Sequence, residues 1–111
     1  MNKEIGFAPD LVKLVKSGEK TKTYRLGNKY DFLNPGDVIP TKNSESGEVF
    51  AELKITNKAY TTFKDLPLNN SGHEIYGTKE EQRNLFEKYY GRKVEDDEFV
   101  IVLSFEVTKL F

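Results

Sequence analysis

The densest group of side chains able to do chemistry lies in the stretch Gly18-Glu19-Lys20-Thr21-Lys22-Thr23-Tyr24-Arg25. Six basic residues and one acidic residue lie between positions 13 and 29, although the chain as a whole has a net charge of −1. Such a local excess of positive charge indicates an anionic or electron-rich ligand. The forked donors of Arg25 suit the edge of a base or a phosphate. An ordinary solvated strand with surface lysines is the alternative interpretation.

The composition limits the classes of site and partner. The chain has 111 residues, with 17 Lys+Arg against 18 Asp+Glu, whereas tight sequence-independent binding of nucleic acid needs excess positive charge. The absence of Cys and the single His exclude disulfides and the usual zinc ligand sets. The first residues lack the apolar run of a signal peptide, and no later stretch has the length and apolarity of a membrane span. We therefore expect a single domain over residues 1–111 that is cytoplasmic and monomeric, without a metal or a cofactor.

The elements that must position this stretch follow from the pattern of apolar residues. Helical spacing between Pro9 and Gly18 predicts a helix over Pro9–Ser17, and alternation predicts an extended segment over Lys20–Leu26 with Thr23 and Arg25 on one face. The rest of the pattern predicts a turn at Asn34–Asp37, strands over Val38–Thr41, Val49–Thr56 and Phe99–Val107, a long loop over Thr61–Gly77, and a second helix that Thr78 caps and Gly91 ends. This order is typical of an α+β fold with a curved sheet that closes toward a small barrel.

The sequence resembles the ASCH-domain family at several of these positions. The motif Gly18-x-Lys20-Thr21-x-Thr23-x-Arg25 after a short helix, followed by Pro35-Gly36-Asp37 and an apolar strand, looks like the ASCH pattern. The resemblance covers nearly the whole chain and implies a PUA-like β-barrel of about five or six strands with two flanking helices. In size and motif the chain is most similar to small bacterial acetylcytidine amidohydrolases, which remove an acetyl group from the exocyclic amine of acetylcytidine.

The resemblance implies three catalytic residues. It places the lysine and the threonine of the family at Lys20 and Thr23, inside the matched motif, and the glutamate at Glu74, in the loop before the second helix. Glu80 and Glu81 are alternative positions for this glutamate, although both fall in the first turn of the predicted helix. Glu74 would bind the cytosine edge, move protons or guide the water that completes the reaction.

Further residues are candidates for binding the substrate. Arg25 supplies a cation and a fork of donors, and the rings of Tyr24, Tyr60 and Tyr76 could stack on a nucleobase. Of these, we assign Arg25, Tyr24 and Tyr76 to the substrate site. His73 is interpreted as a loop residue rather than a catalyst.

The chemistry of the lysine and threonine pair sets a condition on the fold. A threonine hydroxyl is a poor nucleophile until a base removes its proton. Lys20 can be that base only when it is neutral, and burial together with a neighbouring cation such as Arg25 lowers a lysine pKa in the required direction. An ionised Glu74 close to Lys20 would oppose this shift. The hydrolase interpretation therefore requires a sheltered site for Lys20.

Two other functions remain open at this point. PUA-like domains often bind RNA without catalysis, and a ribonuclease could use Lys20 and Glu74 as acid and base. The near-neutral charge favours a small nucleoside over a long RNA, because each phosphate contact normally uses a Lys or Arg.

Overall fold

A computed structural model of the chain describes residues 3–111. Its elements in chain order are β1 (Ile5–Phe7), α1 (Pro9–Ser17), β2 (Lys22–Leu26), β3 (Val38–Asn43), β4 (Val49–Thr62), α2 (Lys79–Tyr90) and β5 (Phe99–Leu110). A 3-10 turn over Phe63–Asp65 follows β4. The predicted α+β class, with five strands and two flanking helices, is confirmed. Within residues 3–111, no helix combines the length and apolarity that a membrane crossing needs.

The five strands form one sheet in the order β1-β3-β4-β5-β2. The β1–β3 pair is parallel and the other three pairs are antiparallel. The long β4–β5 pair contains two register shifts, and such bulges bend a strand and increase its twist. Although β1 and β2 lie at opposite edges, Arg25 on β2 donates from Nη2 to the carbonyl oxygen of Gly6 on β1, at 2.8 Å. The sheet is therefore curled into a half-barrel whose two edges approach each other.

Strand β2 separates two clusters of buried apolar residues, because successive residues of a strand point to opposite faces. Tyr24 and Leu26 belong to one cluster, which also contains Phe63, Leu66, Tyr76, Phe86, Val94 and Val100. Thr23 and Arg25 face the other way, toward the larger cluster that includes Ile5, Phe7, Val15, Leu33, Ile39, Leu53, Ile101 and Leu103. Consequently Thr23 and Arg25 lie at the rim of the main core, on the open side of the half-barrel.

Both helices end where the sequence predicts. Gly18 and Gly91 adopt the left-handed conformation that ends α1 and α2, with φ of 83° and 68°. At the start of α2 the Thr78 hydroxyl accepts a hydrogen bond from the backbone N–H of Glu81. In return the Glu81 carboxylate accepts one from the N–H of Gly77, so this glutamate serves the helix start and not the loop site.

The strands differ from the prediction in number and in length: β2 begins at Lys22 rather than Lys20, and β3 continues to Asn43, beyond the predicted end at Thr41. Strand β1 was not predicted, and β4 and β5 continue to Thr62 and Leu110, beyond the predicted ends at Thr56 and Val107. Residues 57–62 of β4 pair with residues 99–104 of β5, so ladder hydrogen bonds extend the strand through a mainly polar segment. The predicted loop over Thr61–Gly77 therefore begins after Thr62.

Candidate functional site

A cavity of about 560 Å³ opens between the edges of the half-barrel. This volume lies within the range of small-ligand sites. Its wall includes the six residues that the sequence assigned to the catalytic and substrate sites, namely Lys20, Thr23, Tyr24, Arg25, Glu74 and Tyr76. The structure therefore brings the six together, although they come from β2, the segment before it and a distant loop.

Lys20 is the most deeply buried charged group of the cavity wall. Its side chain is 2% exposed, and its Nζ donates to Glu74 Oε2 at 2.6 Å. Its backbone N–H donates to the carbonyl oxygen of Leu14, which fixes the residue against the end of α1. Burial lowers the pKa of Lys20 below the ordinary lysine value; the Glu74 carboxylate opposes this shift and the Arg25 cation adds to it. Lys20 is therefore buried, as the hydrolase interpretation requires, and the Glu74 carboxylate favours its protonated form, as expected.

Thr23 and Arg25 form a second polar group on the same strand. The buried Thr23 hydroxyl oxygen accepts a hydrogen bond from Arg25 Nε at 3.0 Å. Among residues 3–111 this hydroxyl has no acceptor for its own proton. The Arg25 guanidinium lies 5.0 Å from the ring centres of both Phe7 and Tyr30, in cation–π geometry. Nε is bonded to Thr23 and Nη2 to the carbonyl oxygen of Gly6, so two of the donors of Arg25 already have protein oxygens as partners. The substrate-binding role assigned to Arg25 stays a prediction.

The loop between β4 and α2 is docked on the start of β2 through a glycine. The carbonyl oxygen of Gly72 accepts hydrogen bonds from the backbone N–H groups of Thr21 and Lys22, at 2.7 and 3.0 Å. Gly72 has φ of +81°, and a Cβ added there would lie 2.0 Å from Thr21 Oγ1. A glycine is therefore required at this close approach, which brings the following residues of the loop to Lys20.

We expect Gly72→Ala to unfold more easily and to lose the contact between Lys20 and Glu74. The substitution incurs about 1–2 kcal/mol for a left-handed alanine and a further ~1–3 kcal/mol for the steric overlap with Thr21. Gly47→Ala is the matched control, because Gly47 has φ of +77° but nothing within 4 Å of an added Cβ. Urea unfolding of the two variants measures the difference. Equal losses of stability would show that the overlap with Thr21 is relieved without moving the loop.

His73 is a loop residue, as expected, and its side chain lies in the wall of the cavity. Its ring stacks on Tyr24 with centroids 3.8 Å apart and an angle of 6° between the planes. Its side chain is 4% exposed, and Nδ1 lies 3.5 Å from Glu74 Oε2. Burial, with a smaller contribution from the Lys20 charge, lowers the pKa of His73 to about 4. Its position directly before Glu74 is the sequence signal that could have identified it.

The tyrosines of the cavity differ in what they can offer a ligand. Tyr24 is buried, has one ring face covered by His73, and accepts a hydrogen bond at its hydroxyl from Asn70. Tyr76 is only 9% exposed, and burial raises the pKa of both phenols. The more accessible rings of the wall, which the sequence analysis did not assign to the site, are Phe32, Tyr89 and Tyr90. Tyr60 lies outside the cavity, where it stacks on Phe99.

Comparison with known proteins supports this fold through structure rather than sequence. No family model matches the sequence, and no curated protein matches it. A crystal structure of a protein from Enterococcus faecalis is 19% identical, with a TM-score of 0.74 over 97% of this chain and 77% of that one. An ASCH domain from Lactobacillus crispatus is 16% identical, with a TM-score of 0.67 over 96% of this chain and 80% of the other.

A third similar structure is a mutant of ZmASCH from Zymomonas mobilis, 15% identical, with a TM-score of 0.64 over 93% of this chain and 67% of that protein. TM-scores of 0.64 to 0.74 over almost the whole of this chain establish a shared architecture. The half-barrel described above therefore has the PUA-like fold of the ASCH domains, as the motif around Lys20 predicts.

Proposed function

We propose that this protein is an amidohydrolase that removes the acetyl group from acetylcytidine or a related small nucleoside amide. The observation that carries the proposal is the presence of Lys20, Thr23 and Glu74 in the wall of one cavity, with the Lys20 amine and the Glu74 carboxylate in direct contact. Lys20 is buried and has a lowered pKa, as a general base of this kind requires. The cavity volume and its aromatic wall suit a nucleoside.

The first step prepares the base. Lys20 and Glu74 share a hydrogen bond of 2.6 Å, across which one proton of the ammonium can move to the carboxylate. This transfer converts a charged pair into a neutral one without changing the net charge of the site, and burial favours the neutral form. Glu74 thereby acts as the proton acceptor that leaves Lys20 with a free electron pair. After the transfer Glu74 carries no charge, so it no longer favours the protonated form of Lys20.

The second step transfers the acetyl group to Thr23. The hydroxyl oxygen attacks the acetyl carbonyl carbon while the Lys20 amine takes the hydroxyl proton, and the carbonyl electrons move to the oxygen. Arg25 Nε, already hydrogen-bonded to Thr23, stabilises negative charge on the attacking oxygen. Collapse of the tetrahedral intermediate breaks the C–N bond, and the exocyclic nitrogen of cytidine leaves with the proton from Lys20.

The third step restores the enzyme. A water molecule attacks the acetyl ester on Thr23 while the Lys20 amine takes a proton from it. The tetrahedral intermediate collapses with cleavage of the bond between the acetyl carbon and the Thr23 oxygen, and Lys20 returns the proton to that oxygen. Acetic acid leaves and gives up its remaining proton to the solvent as acetate. Return of the first proton from Glu74 to Lys20 regenerates the starting pair. No group other than water is consumed.

A second candidate is a nucleotide-binding module without catalysis. The contact between Lys20 and Glu74 favours it, because a lysine held by a carboxylate at 2.6 Å is also a stable ion pair. A ribonuclease that uses the same two residues as acid and base is a third candidate. Both would place RNA, rather than a free nucleoside, in the cavity.

The test is incubation of the purified protein with acetylcytidine and separation of cytidine from substrate by chromatography. Glu74→Gln retains a hydrogen-bond acceptor for Lys20 but takes up no proton, so we expect kcat to fall about 100-fold or more. Glu106→Gln, at an exposed position of β5, is the matched control and is expected to leave kcat unchanged. A wild-type protein that releases no cytidine but binds or cleaves RNA in a salt-dependent manner would replace this proposal with one of the alternatives.

A further inference from the structure

His73 fills the space between the ring of Tyr24 and the ion pair of Lys20 and Glu74. Parallel stacking on Tyr24 fixes the plane of the imidazole, with ring centroids 3.8 Å apart. Nδ1 lies 3.2 Å from the carbonyl oxygen of Glu74 and 3.5 Å from its Oε2. The imidazole is therefore in contact with both the backbone and the carboxylate of the proposed proton acceptor.

These contacts define the tautomer of His73. Both atoms near Nδ1 are oxygens that accept hydrogen bonds, so Nδ1 carries the proton of the neutral ring. The charged groups around the imidazole are Lys20, Lys22 and Glu74, and the neighbouring phenols are those of Tyr24 and Tyr76. Burial and the Lys20 charge hold the pKa of His73 at about 4, which keeps the ring neutral near pH 7.

Proton transfer from Lys20 requires that the Glu74 carboxylate be held in one direction. Its side chain is 23% exposed, whereas the Lys20 side chain that it contacts is 2% exposed. A glutamate has several rotatable bonds, and one hydrogen bond to Lys20 does not by itself fix the direction of the carboxylate. The residue lies in a loop anchored two residues earlier, where the carbonyl oxygen of Gly72 bonds to the backbone of β2. His73 is the residue between this anchor and Glu74.

We propose that His73 is a positioning residue, whose stacked ring and Nδ1–H hold Glu74 against Lys20 in the orientation that proton transfer requires. The role deepens the proposed hydrolysis and depends on it for its effect on rate. Its structural part, the hold on Glu74, does not depend on which reaction the cavity carries out. Two variants test the aromatic ring and the hydrogen-bond donor independently. His73→Asn places an amide N–H near the position of Nδ1, and His73→Phe retains an aromatic ring without any donor.

The first measurement is the pKa of Lys20, followed by NMR of carbon-13-labelled lysine and assigned by the signal that Lys20→Met removes. Glu74 raises this pKa, so Glu74→Gln lowers it and gives the value expected when the contact is lost. We expect His73→Phe to lower the pKa of Lys20 toward the Glu74→Gln value. We expect His73→Asn to remain near the wild-type value. A Lys20 pKa that does not change in His73→Phe would overturn the proposal, even if wild-type protein fails to hydrolyse acetylcytidine.

The second measurement is the rate of acetylcytidine hydrolysis. We expect His73→Phe to lower kcat about 10-fold to 100-fold with little change in KM, because a misdirected acceptor slows the reaction without removing a substrate contact. His73→Asn is expected to restore most of kcat. If His73→Phe does not fold, the wild-type titration of the only histidine in the chain still tests the arrangement. A histidine signal that titrates near 6.5 would show that the ring is not held in this buried position.

Discussion

Replacement of Lys20 by Met is expected to abolish hydrolysis of acetylcytidine, with a fall in kcat of about 1,000-fold or more. Met has a similar length and fills the buried position of the lysine stem, but it takes no proton from Thr23. Single-turnover measurement with excess enzyme isolates the chemical step from product release. Lys54→Met, at an exposed position of β4, is the matched control and is expected to retain full activity.

The same experiment extended to Thr23→Val tests whether the two residues act as one unit. Val replaces the hydroxyl with a methyl group and leaves Lys20 without a proton to remove. Because the proposed base and nucleophile would serve one step, the double variant is expected to be no slower than either single variant. Residual activity in Thr23→Val at the wild-type level would exclude an acetyl-threonine intermediate.

Replacement of Arg25 by Met is expected to lower the free energy of unfolding by about 2–4 kcal/mol. The variant loses a charged donor to the carbonyl oxygen of Gly6, a charged donor to the Thr23 hydroxyl, and the cation between Phe7 and Tyr30. Each lost hydrogen bond leaves a partly buried oxygen without its partner. Urea denaturation of the purified variant measures the loss.

Two further variants define what Arg25 contributes. Arg25→Lys retains the charge but does not reach Thr23 and Gly6 together, so an intermediate stability is expected. Arg92→Met removes an exposed ion pair with Glu98 and is expected to change stability by less than about 1 kcal/mol. A loss in Arg25→Met no larger than that in Arg92→Met would show that the two edges of the sheet are held together by apolar packing alone.

Local signals in the sequence were sufficient for the helices and for most of the sheet. Pro9 and Gly18 delimit α1, and Thr78 and Gly91 delimit α2, because caps and breakers act on their immediate neighbours. Strand β1 was missed because three residues including Gly6 carry no periodic pattern, and its parallel partner lies at residues 41–43. The ends of β4 and β5 were set by pairing between the two strands, which propensity does not report.

Some residues of the candidate site could be predicted from a local motif, and others depend on contacts between distant parts of the chain. Lys20, Thr23 and Arg25 lie within six residues, so a motif found them and alternation placed Thr23 and Arg25 on one face. Glu74 lies 54 residues from Lys20, and only the resemblance to a family selected it. The contact between Arg25 and Gly6 could not be predicted, because it depends on how far the sheet curls. The role proposed for His73 depends on a loop conformation that the close contact of Gly72 with Thr21 determines.

The seam between β1 and β2 has a consequence for how the pocket admits molecules. Between these two strands, the described residues show one hydrogen bond, from a side chain to a carbonyl, instead of a ladder. Widening this seam breaks the contacts of the Arg25 guanidinium with Gly6 and Phe7 but no backbone ladder, whereas widening at any other junction breaks several backbone hydrogen bonds. The width of the opening therefore depends on the side chain of Arg25, which bonds at once to the Thr23 hydroxyl and to the opposite edge of the sheet.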